Sequence, residues 1–218
     1  MYASARSQDA TEHLISNIIA LENGSTAIKV RADLRLTAAP QNIMQTHLNA
    51  FGTHVDILVN NAGCELVKGL GDITSEDFSY VFNLNVRAVV LMTQAVLPHL
   101  RSPGRIINVS SVGARCGFKD LSLYCSSKAA VEGLTRCHAA ELGAKGHTVN
   151  TVNPGPVQTD LLNGIPKEVI EMQKKTTPAE NRLGTTDDVA QIVAFLSEEN
   201  SRWITGQAIS ASGGFAMY

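Results

Sequence analysis

The sequence predicts an α/β fold, a parallel sheet with helices on both faces. Three observations carry this reading. Short apolar runs of strand character alternate with stretches of helical periodicity along the chain, the pattern of strand–helix–strand units. Val55–Asn60 (VDILVN) is almost continuously apolar, as a strand covered on both faces must be. Two of the helical stretches are followed by glycine, Gly24 and Gly52, the usual residue where a helix stops.

In chain order, Asp9 can cap a first helix carrying Leu14, Ile15, Ile18 and Ile19 on one face. Residues 27–33 (AIKVRAD) read as a strand. A second helix carries Ile43, Met44, Leu48 and Phe51, and leads to the strand Val55–Asn60. A third starts near Thr74 and Asp77 and runs through Phe78, Val81, Phe82 and Val89 towards Pro98. Residues 105–110 (RIINVS) form the next strand, 123–143 a long helix, and 148–153 (TVNTVN) another strand. A short helix near 166–175 follows a loop. The last helix begins at Thr185 and Asp188, a capping-box spacing, and carries Val189, Ile192, Val193 and Phe195. Residues 207–211 (QAISA) close the series. No repeat, low-complexity tract or linker interrupts residues 1–218, which read as one domain.

Bulk properties narrow the function. A chain of 218 residues can build a sizeable core, and 44% hydrophobic with 17% charged residues is an ordinary globular balance. The net charge of −2 offers no bulk attraction to nucleic acid or to an anionic membrane. No apolar run is long enough to span a bilayer, and the polar first ten residues lack a signal-peptide pattern. Cys64, Cys116, Cys125 and Cys137 include no CxxC pair. They read as reduced thiols of a cytoplasmic protein, and no structural metal site is expected.

The chemistry is concentrated in Ser111, Tyr124 and Lys128. Tyr124 and Lys128 are four residues apart in a predicted helix, so their side chains share a face. A lysine ammonium beside a phenol is expected to lower the phenol's pKa, making it a proton donor and acceptor for a substrate oxygen. Ser111 follows a strand ending in NVSS, at the sheet end where α/β proteins place their sites. Around this trio, in order, stand Asn60-Asn61-Ala62-Gly63 after a strand, Asn85 within NVRA, and Pro154-Gly155 after the next strand.

This combination resembles the classical short-chain dehydrogenase/reductase family, over essentially the whole chain. The resemblance implies a Rossmann-like fold and transfer of a hydride between a nicotinamide cofactor, NADP(H) or NAD(H), and a small carbonyl or alcohol. It makes Ser111, Tyr124 and Lys128 the catalytic trio, with Asn85 holding a water in the proton relay. Asn60, Ala62 and Gly63 match the turn beside the adenosine ribose, Asp33 the acidic residue at the adenine ring, and Pro154, Gly155, Val157 and Thr159 the loop at the nicotinamide. The tail WITGQAISASGG and the preceding Arg182-Leu183-Gly184 fit the same family. It also implies a homo-oligomer built on the long helices.

The departure is at the front. The family opens with a strand, a TGxxxGxG turn, a helix and a second strand, and no such turn occurs in this sequence. Tyr2-Ala3-Ser4 resembles the end of that second strand. The chain thus reads as a Rossmann-like domain lacking its first strand–helix–strand unit, with weakened dinucleotide binding, since each charge-assisted hydrogen bond to a phosphate is worth about 1.5–3 kcal/mol. The family's strand order leaves an opened edge on Val55–Asn60. Residues 27–33 can move across and pair there, a second chain can supply the missing edge, or residues 1–33 can be mobile or rearranged; the first is expected, through an ordinary right-handed crossover. Two other functions stay open: a cofactor-independent dehydratase, isomerase or cyclase using the same trio, and a non-catalytic subunit of a related reductase. The loop 158–177, with Leu161, Leu162, Ile165 and Met172, lines a hydrophobic or aromatic substrate by resemblance, or else packs on the core.

Overall fold

The computed structural model describes residues 2–3, 8–162 and 165–218. The main sheet is parallel, with four strands in the order β3-β4-β5-β6: β3 (Val55–Asn60), β4 (Leu100–Val109), β5 (Thr148–Pro154) and β6 (Ala208–Ala211). Its helices explain why the strands are apolar on both sides. Ile106 and Ile107 are consecutive in β4, so they point to opposite faces, and both are almost wholly buried. Ile106 joins Leu58 and Val149 against α2 (Ala39–Phe51), the helical stretch ending at α4 (Ala88–Val96), and α5 (Ser122–Leu142), through Ile43, Met44, Met92, Val96 and Leu142. Ile107 joins Val152 against Leu196, Val189, Ile192 and Val193 of α7 (Thr186–Ser197). Each such side chain stabilises the fold by roughly 1.5–3 kcal/mol on burial.

The front of the chain differs from the sequence expectation. Of residues 27–33 only Lys29–Val30 is a strand (β2), and it does not pair with β3. It pairs in parallel with β1 (Tyr2–Ala3), through the crossover helix α1 (Gln8–Ile19), as Tyr2 opposite Lys29 and Ala3 opposite Val30. The physical reason lies in the side chains and the next turn. Val30 reaches the main core beside Ile43, Met44 and Leu58, and the turn in which Leu36 N–H bonds Asp33 C=O ends extended chain soon afterwards. Docking of one side chain thus replaces a ladder. The outer edge of β3 carries no partner strand among the described residues, and Ile57 and Val59 are 44% and 41% exposed. Asp9 lies inside α1 rather than capping it, and Ser4 is outside the described residues.

The third helix is composite: α3 (Ser75–Phe82), a π-helical turn over Asn83–Arg87, α4, and a 3₁₀ turn at Leu97–His99. The Thr74–Asp77 capping box opens it, Asp77 N–H donating to Thr74 Oγ1 at 3.2 Å and Thr74 N–H to Asp77 Oδ2 at 2.9 Å. Taken whole, Ser75–His99 is long and apolar enough to cross a membrane by length and composition, against the sequence expectation. Its Val81, Ala88, Val89, Met92 and Val96 are instead buried in the protein. The Thr185–Asp188 capping box of α7 also forms, while α6 (Lys167–Thr176) has no fully buried residue.

Candidate active site

The C-terminal ends of β3, β4 and β5 gather the candidate residues, as the parallel sheet dictates. Ser111 follows β4 as the extended residue before the turn Val112–Ala114. Its Oγ accepts the Gly113 N–H at 3.0 Å, which fixes the oxygen and leaves the hydroxyl proton to donate elsewhere. Tyr124, in the first turn of α5, stands beside Ser111 across Gly113. A Cβ added at Gly113 would touch Ser111 Oγ and the Tyr124 ring at 3.4 Å, so both groups border the same spot.

One turn on, Lys128 is buried, with its Nζ donating to Val109 C=O at 2.8 Å and lying 5.8 Å from the Tyr124 ring centroid. Burial pushes Lys128 down to about 8. Tyr124 moves in the direction opposite to the sequence expectation. Burial raises its pKa, opposed by the Ser111 hydrogen bond and reinforced by the charge of Glu65. Desolvation outweighs the lysine because the ammonium is turned to a carbonyl and not to the phenol oxygen.

Asn85 is held inside the π-turn, a distortion common at functional positions. It is buried, its Oδ1 accepting from Cys64 N–H at 2.9 Å and its Nδ2 donating to Cys64 C=O at 2.8 Å and to Ser127 Oγ at 2.9 Å. Asn85 therefore pegs the turn after β3 to α5. Gly63 sits in that turn, where an added Cβ would lie 3.3 Å from both Asn85 Oδ1 and Lys128 Nζ. Ala62 and Gly63 are exposed at the cleft, while Asn60 Nδ2 donates to Asn108 Oδ1 at 2.8 Å and so ties β3 to β4.

The remaining candidates spread outward. Pro154 ends β5, and Gly155 N–H bonds Ala211 C=O at 3.2 Å; a Cβ on Gly155 would meet the Ser212 Cβ at 2.9 Å. Val157 bridges to Gly184, which brings Arg182-Leu183-Gly184 beside the loop. Thr159 is exposed. Asp33 stands apart, its carboxylate held below the usual range by the Arg35 backbone N–H and guanidinium. Among the described residues no hydrogen bond joins Asp33, Pro154 or Thr159 to the trio. A cavity of about 410 Å³ lies between the 158–162 loop, α6 and residues 182–185, lined in part by Thr159, Leu162, Ile170 and Leu183. Sequence reasoning missed Glu65, Ser127, and a cluster of buried Glu132 and Asn153 with the exposed Arg115. Only Glu132 had a signal, since it continues the four-residue spacing of Tyr124 and Lys128.

The residues present fit the nicotinamide end of a dinucleotide. Among them the buried Lys128 ammonium has one acceptor, Val109 C=O, for its three donors, and Gly63 leaves the approach to it free of a side chain.

The chain is similar in sequence and fold to known dehydrogenases and reductases. A family model described as enoyl-(acyl carrier protein) reductase matches residues 2–216. Dehydrogenase OXI1 of Cochliobolus heterostrophus is 44% identical over 221 residues, covering 99% of this chain and 95% of the relative. A short-chain dehydrogenase/reductase from Serratia marcescens superposes with a TM-score of 0.92 at 33% identity, over 99% of this chain and 86% of that one. The angucycline C-6 ketoreductase LanV, solved with bound NADP, gives 0.89 at 32% identity, over 98% and 84%.

Proposed function

The chain belongs to the short-chain dehydrogenase/reductase family, and from that premise we propose that this oxidoreductase interconverts a ketone and an alcohol on a small apolar substrate, with Tyr124 exchanging the proton. The observation that carries the reading is Ser111 and Tyr124 facing one spot beside Gly113, with Lys128 buried one turn along. A bound NADP(H) or NAD(H) supplies or accepts the hydride, and Lys128, Gly63, Pro154, Gly155, Val157 and Thr159 are the residues that would hold its nicotinamide half, with Asn60, Ala62 and Asp33 towards the adenosine.

In the reductive direction Ser111 donates a hydrogen bond to the substrate oxygen and polarises the carbonyl. Tyr124, a phenol whose burial further favours the protonated form, gives that oxygen a proton. The phenolate left behind is balanced by the Lys128 ammonium on the same helix face. Asn85 holds the water of the relay that returns the proton. Leu162 and Ile170, which line the cavity beside Thr159, and the likeness to an angucycline ketoreductase support an aromatic ketone as the substrate. Exposed Phe78 and Tyr80 on α3 support a homo-oligomer, and four free thiols a cytoplasmic setting.

The test is titration of NADPH and NADH by calorimetry, followed by turnover of a panel of aromatic ketones read by NADPH absorbance. Micromolar binding and turnover that Tyr124→Phe abolishes is the expected result. Turnover without nicotinamide, or none lost in Tyr124→Phe, overturns it.

A further inference from the structure

We infer that Glu132 is a positioning residue that clamps the two loops of the active site to the catalytic helix, an inference that rests on the oxidoreductase reading above. Tyr124, Lys128 and Glu132 stand at successive four-residue steps of α5, so they share one face. Glu132 is buried and takes no part in the proton chemistry. Its carboxylate accepts from Arg115 Nε at 2.9 and 3.3 Å and from Asn153 Nδ2 at 2.6 Å, with Arg136 Nη1 at 3.9 Å.

Its two main partners come from different loops. Arg115 closes the turn that Ser111 opens, its N–H bonding Val112 C=O at 3.0 Å. Asn153 is the residue before Pro154-Gly155 and is fully buried in β5. One carboxylate thus fixes the Ser111 turn and the Pro154-Gly155 loop against the helix that carries Tyr124 and Lys128. Tyr218 covers the cluster, its hydroxyl accepting from Asn153 Nδ2 at 2.8 Å and its ring stacking under the Arg115 guanidinium, 4.5 Å from ring centroid to Cζ. A buried carboxylate bonded to a buried amide holds geometry well, because Asn153 left without it loses a charge-assisted bond in a poorly solvated place. Sub-ångström control of this kind matters, since misplacing reacting groups by about 1 Å can cost about a hundredfold in rate.

Glu132→Gln in the full chain tests this, because the amide keeps the size of the side chain but can accept at only one oxygen. We expect amide hydrogen exchange at Gly113 and Gly155 to speed up about tenfold or more, with mid-strand Thr151 and Val152 unchanged. In the same variant kcat falls about tenfold with the ketone KM within about twofold and the pH midpoint of Tyr124 unmoved, and Glu132→Asp recovers part of the loss. Unchanged exchange at both glycines overturns the clamp whether or not the enzyme is active. So does an unchanged kcat in an enzyme that Tyr124→Phe silences. A wild-type protein that turns over no ketone refutes the oxidoreductase reading instead, and the exchange result alone then decides the clamp.

Discussion

β5 and β3 lie two strands apart in one sheet, yet they live under different physics. β5 is paired on both edges and buried from Thr148 to Asn153. β3 is paired on one edge, and its residues facing the α7 side, Ile57 and Val59, are left half in solvent. The proposed catalytic trio is carried by the segment after β4 and by α5, which packs on β5, whereas the front of the chain contributes two-residue strands and the outlying Asp33. The comparison teaches that the residues assigned to the proton chemistry stand on the closed part of the fold, whereas Asn60, Ala62, Gly63 and Asp33, assigned to the cofactor, stand on the open part.

Four experiments break or sharpen that contrast. Tyr124→Phe should lower kcat by about 10²–10⁴-fold while leaving the urea midpoint of unfolding in place, since it deletes one hydroxyl from a packed ring. A comparable loss of stability would mean that the site and the core are not separable. Leu196→Ala, in the closed core, should cost about 2–5 kcal/mol in chemical denaturation, against under about 1 kcal/mol for Ile57→Ala on the open strand. Equal costs would show that the edge of β3 is covered in solution.

The third experiment uses pH. Lys128 is depressed from 10.5 to about 8 in the folded protein. Between those values the unfolded chain binds a proton that the folded chain has released, so stability rises with pH across that window. Lys128→Met removes the term, and the difference between wild type and variant, followed by urea unfolding from pH 7 to 11, should tilt towards the wild type as pH rises. A flat difference would place the ammonium in contact with water. A modest effect, on stability alone, is expected at Gly24, which has positive φ (+80°) and open space around it. Gly24→Ala should cost about 1–2 kcal/mol from backbone strain alone, read as a small fall in the melting temperature with kcat unchanged.

Much of this architecture was legible in the residues. Val55–Asn60 is a strand at its expected bounds, and the capping boxes at Thr74 and Thr185 start helices because Asp77 and Asp188 stand three residues on. Ser111, Tyr124 and Lys128 meet because a strand end and a four-residue helical step place them together. What stayed hidden depends on partners distant in sequence. An apolar strand pattern does not say which edge it joins, so β2 was expected on β3 and lies on β1. The pKa of Tyr124 is set by depth of burial, which its neighbour Lys128 does not report. The π-turn at Asn85 leaves no compositional mark, and Asn153 meets Glu132 only once β5 and α5 have packed.

The spacing of Tyr124, Lys128 and Glu132 along α5 has a consequence for how this segment can vary. An α-helix turns by about 100° per residue, so one inserted or deleted residue between 124 and 132 would swing everything beyond it to another side of the cylinder. Outward positions such as Ser126 and Ala129 can exchange side chains freely. The length of these nine residues cannot change without dismantling the site, so the helix works as a ruler whose graduations are read in turns.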